Sequence, residues 1–171
     1  KWVAENDAEL ELDRHRMAVA GNSVGGNMTL AAALLAKRWH TPALRALVLL
    51  WPVTSASSDW RSYALYGEER FLTAPLMRWM FDQYTDDPKA REEILLSPVN
   101  ASPEELSGLP PTLIAVAEND ILRDQGEAMG RRLDEAGVET TTVRFNGVIH
   151  DWGMLNGFAQ LAPARDLILF V

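Results

Sequence analysis

The sequence predicts an α/β fold, a mostly parallel sheet with helices on both faces, from two observations. Four apolar runs of strand length alternate with helical segments, and this alternation is typical of parallel sheets built from strand–helix–strand units. The runs are largely continuous rather than alternately apolar and polar, which indicates strands buried on both faces. They are Arg16–Asn22, Ala43–Trp51, Thr112–Ala117 and Val138–Phe145.

Two helices are predicted in the first half of the chain. The segment Asn27–Trp39 is rich in Ala and Leu and ends on the basic pair Lys37-Arg38, which suits a helix C-terminus. Thr73 can cap a second helix that has Pro75 in its first turn. Apolar residues recur on one face of that helix, which makes it amphipathic; they are Leu76, Met77, Met80, Phe81 and Tyr84.

Two more helices are predicted in the second half. Asp124 and Glu127 have the spacing of a capping box, and Gly137 stands where a glycine commonly follows a helix end. The pair Asn146-Gly147 is expected to end the fourth strand. Pro163 then opens a last helix that runs through Phe170.

Composition excludes several classes of function. Among 171 residues, 16 are Lys or Arg and 24 are Asp or Glu, so the formal net charge is −8. An acidic chain is a poor partner for nucleic acid or an anionic membrane. The absence of cysteine excludes thiolate zinc sites and thiol catalysis, and no apolar run approaches the roughly 20 residues of a membrane helix. We expect a cytoplasmic protein with no membrane span, no cofactor and no metal.

The strongest motif is Gly21-Asn22-Ser23-Val24-Gly25, which matches G-x-S-x-G and lies between a predicted strand and a predicted helix. Such a turn holds the serine in strained backbone geometry, and a Cβ at Gly21 or Gly25 is expected to collide with neighbouring backbone. The next helix points its positive end at the site, so the N–H of Val24 can face an oxyanion. Ser23 is the candidate nucleophile.

A serine hydroxyl needs a base, and the chain offers three histidines. His15 precedes a predicted strand and His40 follows a predicted helix, so both are expected on the surface. His150 follows the last strand by a short glycine-containing loop, from which its side chain can reach back over the strand ends. His150 is therefore the candidate base.

The acid that orients the base should follow the third strand, where three carboxylates stand: Glu118, Asp120 and Asp124. Asp124 is expected to cap a helix, and Glu118 is closest to the strand, with less freedom to lean over its end. Asp120 is the best candidate. The order along the chain is then Ser, Asp, His.

Three segments carry a resemblance to a known family: Gly21–Asn27, Asn119–Glu127 and Val148–His150. They resemble the C-terminal signatures of the hormone-sensitive-lipase-like carboxylesterases of the α/β-hydrolase superfamily. The resemblance implies that Ser23 is the nucleophile, His150 the base and Asp120 the acid. It also implies small-molecule esters of short or medium acyl chain as substrates, and a possible homodimer.

The chain departs from the family pattern at several positions. Asn22 and Val24 stand where the family usually has Asp and Ala around the nucleophile. Ile121 replaces a common Pro, and Asp151-Trp152 replaces a common Gly-Phe. Val24 still supplies its N–H, so the expected triad survives, but the loop that holds Asp120 and the wall of the pocket are expected to differ.

The resemblance also implies what these residues lack. In this family, a His-Gly-Gly-Gly-type loop supplies the other oxyanion N–H groups. It lies well upstream of the nucleophile elbow, the sharp turn at Gly21–Gly25, and is not in this sequence. Residues 1–171 are therefore expected to form a partial catalytic domain, strands 5–8 and their helices, without its N-terminal half. Because one oxyanion donor is typically worth about 10²–10³ in rate, this segment alone should be nearly inactive.

Two alternatives stay open. Five side chains between the second strand and the third either line an acyl pocket or belong to the core; they are Trp60, Phe71, Met77, Trp79 and Met80. The second alternative is a catalytically inactive small-molecule binding protein on the same fold. The presence of His150 argues against it, because such relatives have lost that histidine.

Overall fold

A sheet of four parallel strands forms the centre of the molecule. The computed structural model describes all 171 residues. The strands lie side by side in chain order, β1-β2-β3-β4, and each neighbouring pair is parallel. They are β1 (Met17–Asn22), β2 (Leu44–Leu50), β3 (Thr112–Asn119) and β4 (Thr140–Ile149). The predicted parallel sheet is confirmed.

Helices fill the connections between the strands and also lie before the first strand and after the last. The longest are α2 (Val24–Trp39), α4 (Ala74–Tyr84), α7 (Arg123–Glu135) and α8 (Ala162–Phe170). The shorter ones are α1 (Trp2–Glu5), α3 (Arg61–Tyr66), α5 (Pro88–Glu92) and α6 (Pro103–Leu106), with 3₁₀ turns at Pro98–Asn100 and Asn156–Phe158. None of these helices has the length and apolar character that crossing a membrane requires.

Both faces of the two central strands, β2 and β3, are largely covered, as continuous apolar runs require, whereas the outer strands β1 and β4 keep several exposed residues, so the burial on both faces expected for them is not found. Ile114 and Val116 of β3 point into one cluster and Ala115 and Ala117 into another, so successive residues serve opposite faces. The first cluster also contains Leu30, Leu47, Leu49, Met129 and Leu133. The second contains Leu50, Trp51, Trp152, Ala164 and Leu167.

The fourth strand is longer than the sequence predicts. Asn146-Gly147 does not end it, because pairing with β3 resumes at Asn119 and Ile149 after a shift in register. Glu118 alone lies between the paired residues of β3, whereas three residues of β4 face it. Gly147 adopts the left-handed φ of 75°, and its N–H donates to Glu118 Oε2 at 2.7 Å. This contact between distant residues holds the extra length against the sheet.

Two predicted helix starts are wrong, for different reasons. Helix α2 begins at Val24 rather than Asn27, because the chain turns into helix directly after Ser23. Helix α7 begins after Leu122, without a side-chain cap, so Asp124 and Glu127 form no capping box. The Asp124 carboxylate instead accepts from Ser62 N at 2.8 Å. At the other end of α7, Gly137 has a φ of 78°, as a glycine after a helix end should.

Helix α4 is capped as predicted but is less buried than its pattern indicates. Thr73 Oγ1 accepts from Leu76 N at 3.3 Å, and Pro75 lies in the first turn. Of the apolar face, only Met77 is buried, whereas Leu76, Met80 and Tyr84 are exposed. An amphipathic pattern fixes the helix period but not what covers the helix.

Candidate active site

The serine of the G-x-S-x-G motif lies in a sharp turn between β1 and α2. Ser23 has φ 52° and ψ −118°, a left-handed φ that a non-glycine residue adopts only under strain. Backbone hydrogen bonds hold the turn: Ser23 N donates to Leu50 O at 2.9 Å, and Ser23 O accepts from Val53 N at 3.1 Å. The strain predicted for Ser23 is therefore present, and β2 and the segment after it hold the turn in place.

Two glycines make this turn possible: Gly21, as the motif indicates, and Gly26 in place of the expected Gly25. A Cβ on Gly21 would collide with the carbonyl group of Gly25. At Gly25, however, a Cβ would meet only Asn22 Oδ1, at an ordinary 3.9 Å, so the expected collision there is wrong. Gly26 is the second crowded position, because its Cβ would lie 2.7 Å from Pro52 Cβ.

The structure brings the three predicted side chains together over the carboxyl ends of the strands. His150 Nε2 lies 3.0 Å from Ser23 Oγ, and His150 Nδ1 lies 2.7 Å from Asp120 Oδ2. Both titratable side chains are buried, since the side chain of His150 is 3% exposed and that of Asp120 is 0% exposed. The arrangement allows a proton to pass from the hydroxyl to the imidazole while a carboxylate holds the opposite ring nitrogen.

The Asp120 carboxylate is fixed by a backbone hydrogen bond and influences the titration of a neighbouring tyrosine. Its Oδ1 accepts from Leu122 N at 2.9 Å, which leaves Oδ2 for the imidazole. Burial raises the pKa of Tyr63 to about 12; the neighbouring Gln125 side chain partly opposes the shift, and the negative charge of Asp120 adds to it.

The rejected candidates have other contacts. Glu118 accepts from Gly147 N, and Asp124 forms an ion pair with Arg123, Nε to Oδ1, at 2.9 Å. His15 and His40 are exposed, as expected. No group of three or more His, Asp or Glu side chains is arranged to hold a metal ion.

Val24 is the first residue of α2, where helix N–H groups lack an intrahelical partner. Its N–H is therefore available beside Ser23, as the oxyanion expectation requires. The positive end of the helix dipole lies at the same point.

The five candidate pocket residues divide between core and surface. Met77 is buried in a cluster with Val53, Tyr63, Leu72, Ile121 and Leu122, and half-buried Trp60 packs against that cluster. Phe71, Trp79 and Met80 are exposed. For Met77 the core interpretation is correct.

Asp151 is a site residue whose contacts the sequence did not reveal. Its Oδ1 accepts from Trp51 Nε1 at 2.7 Å and lies 3.4 Å from Asn22 Nδ2. The same oxygen is 3.8 Å from His150 Nε2. The available signal was its departure from the family pattern, but a single sequence does not indicate the partners.

The sheet and the elbow after its first strand define the class of protein. The chain belongs to the alpha/beta hydrolase fold family, whose model matches residues 1–154. The resemblance to the hormone-sensitive-lipase-like carboxylesterases is thereby confirmed.

Several of the similar proteins are named esterases. A thermostable esterase from Pseudomonas putida of known structure is 53% identical, with a TM-score of 0.96 over 98% of this chain and 52% of that one. An ethyl acetate hydrolase of Pseudomonas putida is 37% identical over 100% of this chain and 53% of its own length. An arylesterase of Saccharolobus solfataricus is 38% identical over 87% of this chain and 48% of its own. The chain thus spans about half the length of the relatives it matches.

Proposed function

We propose that this chain carries the catalytic triad of a serine carboxylesterase that hydrolyses short- to medium-chain acyl esters. Ser23 is the nucleophile, His150 the general base, Asp120 the acid that orients it, and Val24 N–H an oxyanion donor. The observation that carries the proposal is the continuous row from Ser23 Oγ to His150 and on to Asp120, at 3.0 and 2.7 Å. The esterase names of the relatives support the same reaction.

The reaction follows from this row. As Ser23 Oγ attacks the ester carbonyl, its proton passes to His150 Nε2, and Asp120 stabilises the imidazolium through Nδ1. The carbonyl oxygen becomes an oxyanion that the Val24 N–H can bind. His150 then protonates the departing alkoxide, which leaves an acyl-enzyme. Water attacks the acyl group in the same way, giving its proton to His150, which returns it to Ser23 as the carboxylic acid leaves.

We also propose that full activity requires oxyanion donors from outside these 171 residues. Two facts support this: the chain spans about half of its relatives, and β1 lies at an edge of the sheet with one free side. Each such donor is worth about 10²–10³ in rate. We therefore expect the extended chain, which adds the residues encoded upstream of Lys1, to hydrolyse esters at least 100 times faster than residues 1–171. Equal rates would contradict this part of the proposal.

The catalytic roles are tested by hydrolysis of p-nitrophenyl acetate and butyrate, measured on the extended chain. Ser23→Ala and His150→Ala should abolish turnover above the uncatalysed rate. Ser107→Ala is the matched control, because Ser107 is exposed and its side chain makes no hydrogen bond of the site. Turnover that persists in Ser23→Ala, with an unchanged melting temperature, would refute the assignment.

Labelling by a fluorophosphonate gives a second test that needs no turnover. The reagent should modify the parent chain and the Ser107→Ala variant but not Ser23→Ala. An inactive small-molecule binding protein would resist the reagent in every form, which would favour that alternative.

The partner that this site fits is a small-molecule ester. Two finer expectations remain predictions: a homodimer and a cytoplasmic location. Sedimentation velocity of the extended chain tests the first, since a homodimer should sediment with twice the mass of the chain.

A further inference from the structure

Asp151 occupies a backbone position that does not favour it. Its φ is 61°, in the left-handed region where glycine is preferred. The family that this chain resembles commonly has glycine at this position. Aspartate tolerates the region better than most residues, but a side chain retained there needs a reason.

The contacts of its carboxylate provide one. Oδ1 accepts the indole N–H of Trp51 at 2.7 Å and faces the amide of Asn22 at 3.4 Å. Asn22 is the last residue of β1 and precedes Ser23, whereas Trp51 follows β2 and Asp151 follows His150. One oxygen therefore joins the ends of two strands to the loop that carries the base.

Trp51, which donates to Asp151, also lies beside the imidazole of His150. The Trp51 backbone has a left-handed φ of 38°, and its fully buried indole lies edge-on to His150 with ring centroids 6.4 Å apart. The indole also packs on Trp152, with ring centroids 4.3 Å apart. A ring held in this way limits how far the His150 imidazole can turn away from Ser23.

Asn22 and Asp151, two positions at which the chain departs from the family pattern, carry complementary polar groups. The family usually has a carboxylate at position 22 and often a glycine at 151, whereas this chain has an amide at 22 and a carboxylate at 151. Two carboxylates 3.4 Å apart would repel, while an amide N–H and a carboxylate attract. The facing charged groups are Asp120 on His150 Nδ1, and Asp151 at 3.8 Å from Nε2.

We propose that Asp151 is a positioning residue for the Ser23–His150 pair, and that Asn22 and Asp151 are energetically coupled through their facing amide and carboxylate groups. This inference rests on the proposed esterase function. Asp151 acts through Trp51 and Asn22 rather than on the substrate. Exchanging the two residue types should therefore preserve the arrangement, whereas changing either one alone should disturb it.

The test is a double-mutant cycle on the extended chain with p-nitrophenyl acetate, a neutral ester. Asn22→Asp and Asp151→Asn should each lower kcat with KM little changed. In Asn22→Asp/Asp151→Asn, kcat should be about tenfold higher than the product of the single effects, a coupling typical of residues in contact. Asp134→Asn is the control for charge, because it removes an exposed carboxylate far along α7. Single effects that simply multiply, or variants that all keep the parent kcat, would overturn the proposal.

Two further measurements keep the test decisive. Trp51→Phe removes the indole N–H but keeps an aromatic ring; it should lower kcat as Asp151→Asn does, and adding Asp151→Asn should then cost little more. In ¹H–¹⁵N spectra, Asp151→Asn should move the Trp51 indole N–H resonance, which Trp51→Phe identifies by its loss. An unmoved resonance would refute the contact even if the chain proved to have no esterase activity. Conversely, a moved resonance in a chain without turnover would confirm the contact and contradict only the proposed esterase function.

Discussion

Gly25 and Gly26 are neighbours in the first turn of α2, yet the structure predicts opposite results when each is replaced by alanine. A Cβ at Gly26 would lie 2.7 Å from Pro52 Cβ and 3.0 Å from Pro52 Cα. Carbon atoms in contact are normally about 3.5–4.0 Å apart, so Pro52 would have to move by about 1 Å. A Cβ at Gly25 would have its nearest neighbour at 3.9 Å and would fit without movement.

The magnitude follows from comparing the two variants. Alanine is better than glycine in a helix by about 0.5–1 kcal/mol, and this gain is similar for both positions because they share one turn. The difference between the variants is then the cost of overpacking against Pro52, about 1–3 kcal/mol. Gly25→Ala should equal or exceed the parent in stability, and Gly26→Ala should fall below it.

The assay is urea unfolding of the parent and both variants, followed by circular dichroism at one pH. The free energy of unfolding is obtained by linear extrapolation, and unchanged slopes would show that the denatured states are comparable. A Gly26→Ala chain as stable as Gly25→Ala would refute the reasoning, because it would mean that Pro52 does not crowd this position.

Three further predictions concern stability. Tyr63 has a pKa raised from 10.0 to about 12, so the stability it confers is complete below pH 10 and is lost as pH rises to 12. Urea unfolding at pH 9 and pH 12 should show the parent losing about 2–3 kcal/mol more than Tyr63→Phe, and equal losses would contradict this. Gln125→Met should lower the free energy of unfolding by about 2–5 kcal/mol, because Gln125 Oε1 accepts from Thr54 N and Ser55 N in a buried site; a loss under about 1 kcal/mol would be inconsistent with that role. Thr73→Ala should cost about 1 kcal/mol in thermal unfolding through loss of its helix cap, and Thr73→Ser should restore most of it.

The sequence predicts the parts of this fold that depend on local pattern. The starts of β1, β2 and β3 agree with the apolar runs to within one residue, because an unbroken apolar run is typical of a strand in a parallel sheet, although β1 at the edge of the sheet keeps exposed residues. The rule that side chains after parallel strands meet at one edge selected Ser23, Asp120 and His150, which the structure brings within hydrogen-bond distance. Their catalytic roles remain a prediction.

Features that depend on contacts between distant residues were not predictable in this way. Gly26, not Gly25, is crowded because of Pro52, which arrives from the end of another strand. Asp124 has the spacing of a cap but binds Ser62 N, 62 residues away. The contact of Asp151 with Trp51 joins residues 100 apart. Propensity and periodicity describe neighbours along the chain, so they carry no information on such pairs.

The three acids in and just after the end of β3 show how closely spaced carboxylates acquire separate contacts. Glu118 accepts from Gly147 in the lengthened end of β4, Asp120 faces the imidazole, and Asp124 accepts from the N–H of Ser62 in the first turn of α3. Each points in its own direction, so a neighbour cannot stand in when one is lost. Moving the carboxylate of Asp120 by even two positions along the chain would therefore require the surrounding loops to be redesigned as well.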